Sequence, residues 1–348
     1  MVLFLGERSI SSNDALTNLD GLVNITSVGG DLRIYVNTVL TNLDGLANIT
    51  SVGGYLYIAS NSTLTNLDGL ASLTSVGGYL KITSNSALAN LDGLANITSV
   101  GGRLLITTNT ALTNLNGLAN ITSVGGNVDI RNNDALTNLD GLANLTSVGG
   151  DLVIFNNATL TNLNGLANLT SVGGNLTIWD NPALTNLDGL ANLTSVGGNL
   201  EIGGNFGGNA ALTNCQGIAL LLGWPNGPPD DSVVGEITIQ SNSTGCNSVE
   251  QVLASVSGPT QPTITNAVSI GDGAIELEFT PSTTTNTLFP VTGYAAACVG
   301  AFADQRESPA SALLDNTPVS RTLTVSGYDP VSVLSDIKID VDITHSDP

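Results

Sequence analysis

Leucine, isoleucine and valine recur along this chain in a fixed order with two spacings. From Leu160 to Ala183 they fall at Leu160, Leu163, Leu166, Leu169 and Val172, three apart, and then at Leu176 and Ile178, two apart. The pattern begins at Leu16, Leu40, Leu64, Leu88, Leu112, Leu136, Leu160 and Leu184, a period of 24 residues. A fixed period in this range marks a solenoid, in which each unit buries against its neighbours an apolar face it cannot bury alone. Spacing of two predicts a strand with alternate side chains inward. Spacing of three, in a segment rich in Asn and Gly and too short for an amphipathic helix, predicts a tightly turning ribbon with very short extended pieces. Gly173–Gly174 mark one corner that needs unusual backbone angles or close approach. Asn164–Gly165, Asp–Gly in most copies, mark a second.

One Asn follows the two-spaced strand in every unit: Asn13, Asn37, Asn61, Asn85, Asn109, Asn133, Asn157, Asn181 and Asn205. Repeated beside a strand, it reads as an interior ladder whose amides bond backbone groups of adjoining turns. Its expected role is structural. Ile10 and Asn13 align with the Ile and Asn of later units, so the chain begins inside a degenerate turn, and a segment upstream is expected.

The run Leu176, Ile178, Asn181, Leu184 resembles the strand segment of leucine-rich repeats. The preceding SVGG and following LxxLxGL resemble the receptor L-domain variant of that repeat. The resemblance covers about residues 10–256. It implies a mainly β fold, a right-handed parallel β-solenoid with one long sheet. It also implies binding, usually of proteins, rather than catalysis.

The period breaks after Ile202 with the run GGNFGGNAA. LTNCQGIALLLGW then reads as a short apolar helix, Glu236 to Ile239 as a strand with Asn242 three beyond it, and SVEQVLASV as a helix with Ser248 and Gln251 at capping-box spacing. The solenoid is thus expected over 1–207, with its cap over 208–257. Cys215 and Cys246 flank the cap and read as a disulfide stapling it, which suits an extracellular compartment; two buried thiols are the alternative. From 258 to 348 the alternating short strands read as a β-sandwich. IELEFTP, VTGYAAAC and TLTVSGYDP resemble strands of a fibronectin type III domain. The last piece, SVLSDIKIDVDITHSDP, departs from that pattern, and Cys298 has no evident partner.

The net charge is −21 from 29 acidic and 8 basic residues. That argues against nucleic acid and anionic membrane surfaces as partners, since both need a basic stripe. No apolar run is long enough for a transmembrane helix. The sole His is His345 and no CxxC occurs, which leaves no zinc site and no Ser-His-Asp or Cys-His set. No cofactor is expected.

Chemical variety concentrates on the outward positions around the two-spaced strand. These form three columns, beginning at Asp31, Arg33 and Tyr35 and ending at Asn199, Glu201 and Gly203. Every aromatic residue between positions 13 and 205 stands there: Tyr35, Tyr55, Tyr57, Tyr79, Phe155 and Trp179. So does every cation of that span: Arg33, Lys81, Arg103 and Arg131. Aromatics and Arg gathered on one rigid sheet have the composition of a binding surface for a protein or glycan. The bland readings are cross-strand stabilisation, tolerance of bulk on this face alone, and drift after duplication.

Other chemistries are weaker. The column Asp20, Asp44, Asp68, Asp92, Asn116, Asp140, Asn164, Asp188 invites calcium, yet Asn interrupts it twice and turn chemistry explains it. Asp129 and Asp151 are the nearest carboxylates on the varied face, and Arg131 beside them makes an ion network the simpler reading than glycoside cleavage. One Thr column (Thr26 to Thr194) is thin support for ice binding. The NIT/NLT sequons recur because the unit does. The sequence thus points to an extracellular or cell-surface recognition module, with a ligandless stalk as the alternative.

Overall fold

The computed structural model describes residues 2–4, 8–204, 207–224, 232–256, 263–271 and 274–280. The chain divides into two units, Met1–Val256 and Ser257–Pro348. In the first, each 24-residue unit makes one coil of a mainly β solenoid. The strands Arg8–Ser11, Leu32–Tyr35, Leu56–Ala59, Leu80–Thr83, Leu104–Thr107, Val128–Arg131, Leu152–Phe155, Leu176–Trp179, Leu200–Ile202 and Ile237–Ile239 form a ten-stranded parallel sheet. Register is kept from coil to coil, with Ile106 opposite Ile130 and Ile154 opposite Ile178.

The resemblance implied one long sheet, and there are two. Eight Ser–Val pairs, such as Ser123–Val124 and Ser147–Val148, stack with Val2–Phe4 into a nine-stranded parallel sheet of their own. These strands are so short because each is caught between two corners.

The spacing of three has a hydrogen-bond cause. Asn164–Leu166 is one 3-10 turn, as is its counterpart in every coil. Leu166 N–H donates to Leu163 O at 2.8 Å and Leu169 N–H to Leu166 O at 2.9 Å. An i to i+3 bond brings every third side chain to the same side, so three leucines in succession face inward. The Asn two residues before the corner accepts its N–H, as Asn162 Oδ1 does from Asn164 at 3.1 Å. Across one coil the seven aliphatic positions Leu160, Leu163, Leu166, Leu169, Val172, Leu176 and Ile178 are 0 or 1% exposed.

Glycine at both corners serves close approach. A Cβ on Gly93 would overlap the carbonyl of Leu67, and one on Gly77 that of Gly53. The unusual backbone angles lie elsewhere. Ser12, Val36, Ser60, Ser84, Thr108, Asn132, Asn156, Asp180 and Ser241 all have φ between 50° and 59°. Each immediately precedes a ladder Asn. A single left-handed residue breaks the strand's alternation, so that the following Asn turns inward.

That Asn is an interior ladder, as expected. Asn157 N–H donates to Asn181 Oδ1 at 3.1 Å, and Asn157 Nδ2 donates to Ile130 O at 3.0 Å and Phe155 O at 3.2 Å. Its own Oδ1 accepts from Asn133 N at 3.1 Å. At the far end the ladder corrects the sequence reading. Asn205 lies outside the described residues, and Asn209 takes its rung, accepting from Asn181 N at 3.0 Å and donating onward to Asn242 Oδ1 at 2.9 Å. The inserted GGNFGGNAA run shifts the register by four residues, which the period alone hides.

The cap also differs from expectation. LTNCQGIALLLGW contains no α-helix; Gln216–Ile218 is a further 3-10 corner, followed by turns to Trp224. Gly217 approaches the Leu187 carbonyl as closely as its counterparts do theirs, which holds the segment to the coil path. The helix Val249–Ser255 does form, with Ser248 Oγ accepting from Gln251 N at 3.2 Å. Its Val252 is fully buried, and Gln216 Nε2 ties the coil to Ser255 O at 2.7 Å. Cys215 and Cys246 are disulfide-bonded with Cα atoms 5.7 Å apart. In the second unit Thr263–Gly271 pairs antiparallel with Ala274–Thr280. The rest of the expected sandwich, with Cys298 and His345, lies outside the described residues.

Candidate ligand-binding face

The ten-stranded sheet turns one face to the core and the other outward, and the outward face carries the varied columns. Parallel register sets each residue of a column beside its counterpart one strand away, about 4.8 Å distant. The middle column runs Arg33, Tyr57, Lys81, Leu105, Asp129, Val153, Thr177, Glu201. The third runs Tyr35, Ala59, Thr83, Thr107, Arg131, Phe155, Trp179. The first column, from Asp31 to Asn199, sits at the glycine corner just before the strands.

Two groups form, and they differ. In the first, Tyr55 and Tyr79 stack with centroids 4.5 Å apart and planes 11° from parallel. Arg103 on the next coil brings its guanidinium to 5.5 Å from the Tyr79 ring. Alongside, Tyr35 and Tyr57 are 5.7 Å apart, and Lys81 Nζ lies 5.1 Å from the Tyr57 ring. Stacking along the strand-to-strand direction turns the faces of Tyr55 and Tyr79 to one another, while Tyr35 and Tyr57 are tilted at 37°.

In the second group Phe155 meets Trp179 edge-on, with centroids 6.3 Å apart at 85°. Arg131 shares their column, but its guanidinium is taken by Asp129 in the same strand. Nε donates to Oδ1 at 2.7 Å and Nη2 to Oδ2. The hydrogen bond to Asp129 holds Arg131 above its ordinary pKa, against an opposing effect of burial. Arg33 likewise pairs with Asp31, at 2.8 Å. Trp179 lies against Gly204, where a Cβ would sit 3.0 Å from its ring, and its indole N–H is buried with no partner among the described residues. Part of that side chain is therefore covered by the next coil.

The first column holds something its variability conceals. Asp31 Oδ1 accepts the N–H of Tyr55 on the next coil at 2.8 Å. Asn127, Asp151, Asn175 and Asn199 do the same for Asp151, Asn175, Asn199 and Glu236. An Asp or Asn here ties each glycine corner to the next. Tyr55, Tyr79 and Arg103 stand on three successive coils between them, where no side-chain carbonyl or carboxylate is available for that bond. The second corner glycine gives these residues room, since a Cβ on Gly78 would strike Tyr55 and one on Gly102 would strike Tyr79.

The remaining candidates have structural partners. The sequon Asn residues donate across coils, Asn168 Nδ2 to Ala143 O at 2.7 Å for example. Hydroxyls of the Thr column bond backbone, as Thr170 Oγ1 does to Thr146 O at 3.1 Å. Asp151 accepts from Asn127 Nδ2 as well as from Asn175 N. Among the described residues no set of three or more His, Cys, Asp or Glu is placed to hold a metal ion. Among them, too, no helix is long and apolar enough to cross a membrane.

Residues 96–164 match the model of the Receptor L domain family. The matched stretch lies in the middle of the regular array, from the fourth regular unit into the seventh, and the family is one of ligand-binding folds. No curated protein shows a significant match to the chain. The match and the stacked parallel sheets agree on a β-solenoid.

Proposed function

We propose that this protein is a non-enzymatic recognition module, secreted or held at a cell surface, that binds a protein partner across the outward face of its ten-stranded sheet. One observation carries the reading. Every aromatic and cationic residue between positions 13 and 205 stands on this one face, although each coil offers other exposed positions. The Cys215–Cys246 disulfide supports an oxidising compartment. The fibronectin-like segment would serve as a spacer or attachment unit.

A glycan ligand is less well supported. Sugars dock on open aromatic faces, and the tyrosine faces here are turned to one another and to cations. The second reading, a stalk with no specific ligand, draws its support from Trp179, whose ring packs on Gly204.

An array of extracellular proteins and glycans, probed with the whole chain, separates the two. Replacing Phe155 and Trp179 with Ala, and separately Tyr57 and Tyr79, is expected to weaken binding of the captured partner at least tenfold, the effect of truncating an interface anchor by about 1.4 kcal/mol. Thermal stability should change little for the tyrosine pair. Silence across the array, or binding indifferent to both pairs, overturns the proposal.

A further inference from the structure

We infer that the Tyr55–Tyr79–Arg103 end of this face, with Tyr57 and Lys81, takes an acidic polypeptide segment. The inference rests on the recognition reading above and names the chemistry of the partner.

Charge is the first argument. The chain carries −21, and cations on its solenoid are few. Arg33 and Arg131 are neutralised by Asp31 and Asp129. Lys81 and Arg103 meet no carboxylate among the described residues; each is held beside a tyrosine ring instead. Two cations on neighbouring coils, prearranged and without a counter-ion, form a positive island on an acidic molecule. Such an island attracts carboxylates at close range, within the roughly 10 Å over which salt leaves exposed charges unscreened.

The second argument is what the fold gives up there. In the coils of Asp31, Asn127, Asp151, Asn175 and Asn199 the first column ties adjacent corners together. Only Tyr55, Tyr79 and Arg103 interrupt that series, on consecutive coils. Drift would not be expected to replace a bonding residue on three successive coils with two tyrosines and an arginine whose side chains then stack.

Shape supplies the third. Beside the tall residues of the first two columns, the third column drops to Ala59, Thr83 and Thr107, with Ala59 and Thr107 buried. Tyr35 and Arg131 rise at either end of that column. An extended segment laid along this step would meet the tyrosine side chains, the half-buried Thr83 hydroxyl and the Lys81 ammonium. These are partners for carboxylates and backbone amides. A polyuronate offers the carboxylates, but its ring faces would find no open aromatic face.

The test uses the full chain and three probes: a short Glu-rich synthetic peptide, its Gln counterpart, and polygalacturonate. Binding is followed by fluorescence anisotropy at low and raised salt. The Glu peptide should bind, weakening with salt, and the Gln peptide should not. Lys81→Glu with Arg103→Glu should weaken the Glu peptide by about tenfold for each reversed charge at low salt. Lys81→Gln with Arg103→Gln serves if the reversal disturbs folding, and circular dichroism reports on that. Equal binding of the Gln peptide, no binding of the Glu peptide, tighter binding of polygalacturonate, or indifference to both substitutions overturns the inference. A partner captured on the array that is lost with Phe155→Ala/Trp179→Ala but unaffected at Lys81 and Arg103 also overturns it, and leaves the recognition reading standing.

Discussion

Replacing Asn109 with Leu tests the ladder at its centre. Asn109 is fully buried. Its Oδ1 accepts from Asn85 N at 3.1 Å, and its Nδ2 donates to Ile82 O at 3.0 Å and Thr107 O at 3.2 Å. Leu fills a similar volume and makes none of these bonds. It strands a buried N–H and at least one buried carbonyl, each costing about 1–3 kcal/mol. Added apolar burial returns about 1–2 kcal/mol, so mid-range values leave a net loss of about 2–3 kcal/mol. Asn13 is the internal control. It is the first described rung and is exposed, and among the described residues its side chain donates only to Ser11 O and Asn37 Oδ1. Asn13→Leu should cost less than about 0.5 kcal/mol, as surface changes usually do. Urea unfolding followed by circular dichroism gives both values from the midpoints. If Asn109→Leu lies within about 0.5 kcal/mol of the parent, or if the two rungs cost the same, the ladder is not what satisfies the core's polar groups.

Val36 sits at φ 55° where other coils carry Ser, Thr, Asn or Asp; Val36→Asn should raise stability by about 1 kcal/mol, because a β-branched residue is strained in that region, and an unchanged melting temperature would refute this. Gly93→Ala drives a methyl into the Leu67 carbonyl while Gly21→Ala meets nothing within 4 Å; the first should cost about 1–3 kcal/mol or more and the second far less, and equal effects would contradict the close-approach account. Arg103→Asn restores an acceptor for the following N–H, about 0.5–1.5 kcal/mol, against a cation–π contact of about 0.5–1 kcal/mol; the unfolding midpoint should hold or rise while Glu-peptide binding falls, and a stability loss above about 1 kcal/mol would count against the reading of the first column.

Much of this fold was legible because translation repeats the signal. Each buried Leu sees nearly the same neighbours as its copies, so the column of Leu166, Leu142 and Leu118 could be read without a structure. The Asn ladder was legible for the same reason. What escaped the sequence reading obeys no such repetition, or hides beneath it. The Ser–Val sheet was missed because Val172 continues the spacing of three from Leu169 and masks a strand. The left-handed residues were missed because none of them is Gly in the regular coils. Asn209 was missed because an insertion broke the count. On the candidate face the columns were legible. The Asp and Asn hydrogen bonds of the first column were not, since Asp and Asn beside Tyr and Arg look like ordinary surface variation.

The glycine beneath each first-column residue has a consequence for how such a chain changes over time. The seat for Tyr55 is made by Gly78 of the next coil, and the seat for Tyr79 by Gly102. A seat with no side chain of its own accepts Asp, Asn, Tyr or Arg alike, as the successive coils already demonstrate. The lettering on this face is therefore sterically uncoupled from the type that holds it, at the loss of one corner hydrogen bond wherever Asp or Asn is replaced. One codon rewrites one mark without repacking the core, and gain or loss of a whole coil moves later marks along the axis by one strand spacing, about 4.8 Å. The molecule is in that sense a ruler whose graduations can be re-engraved singly or shifted together.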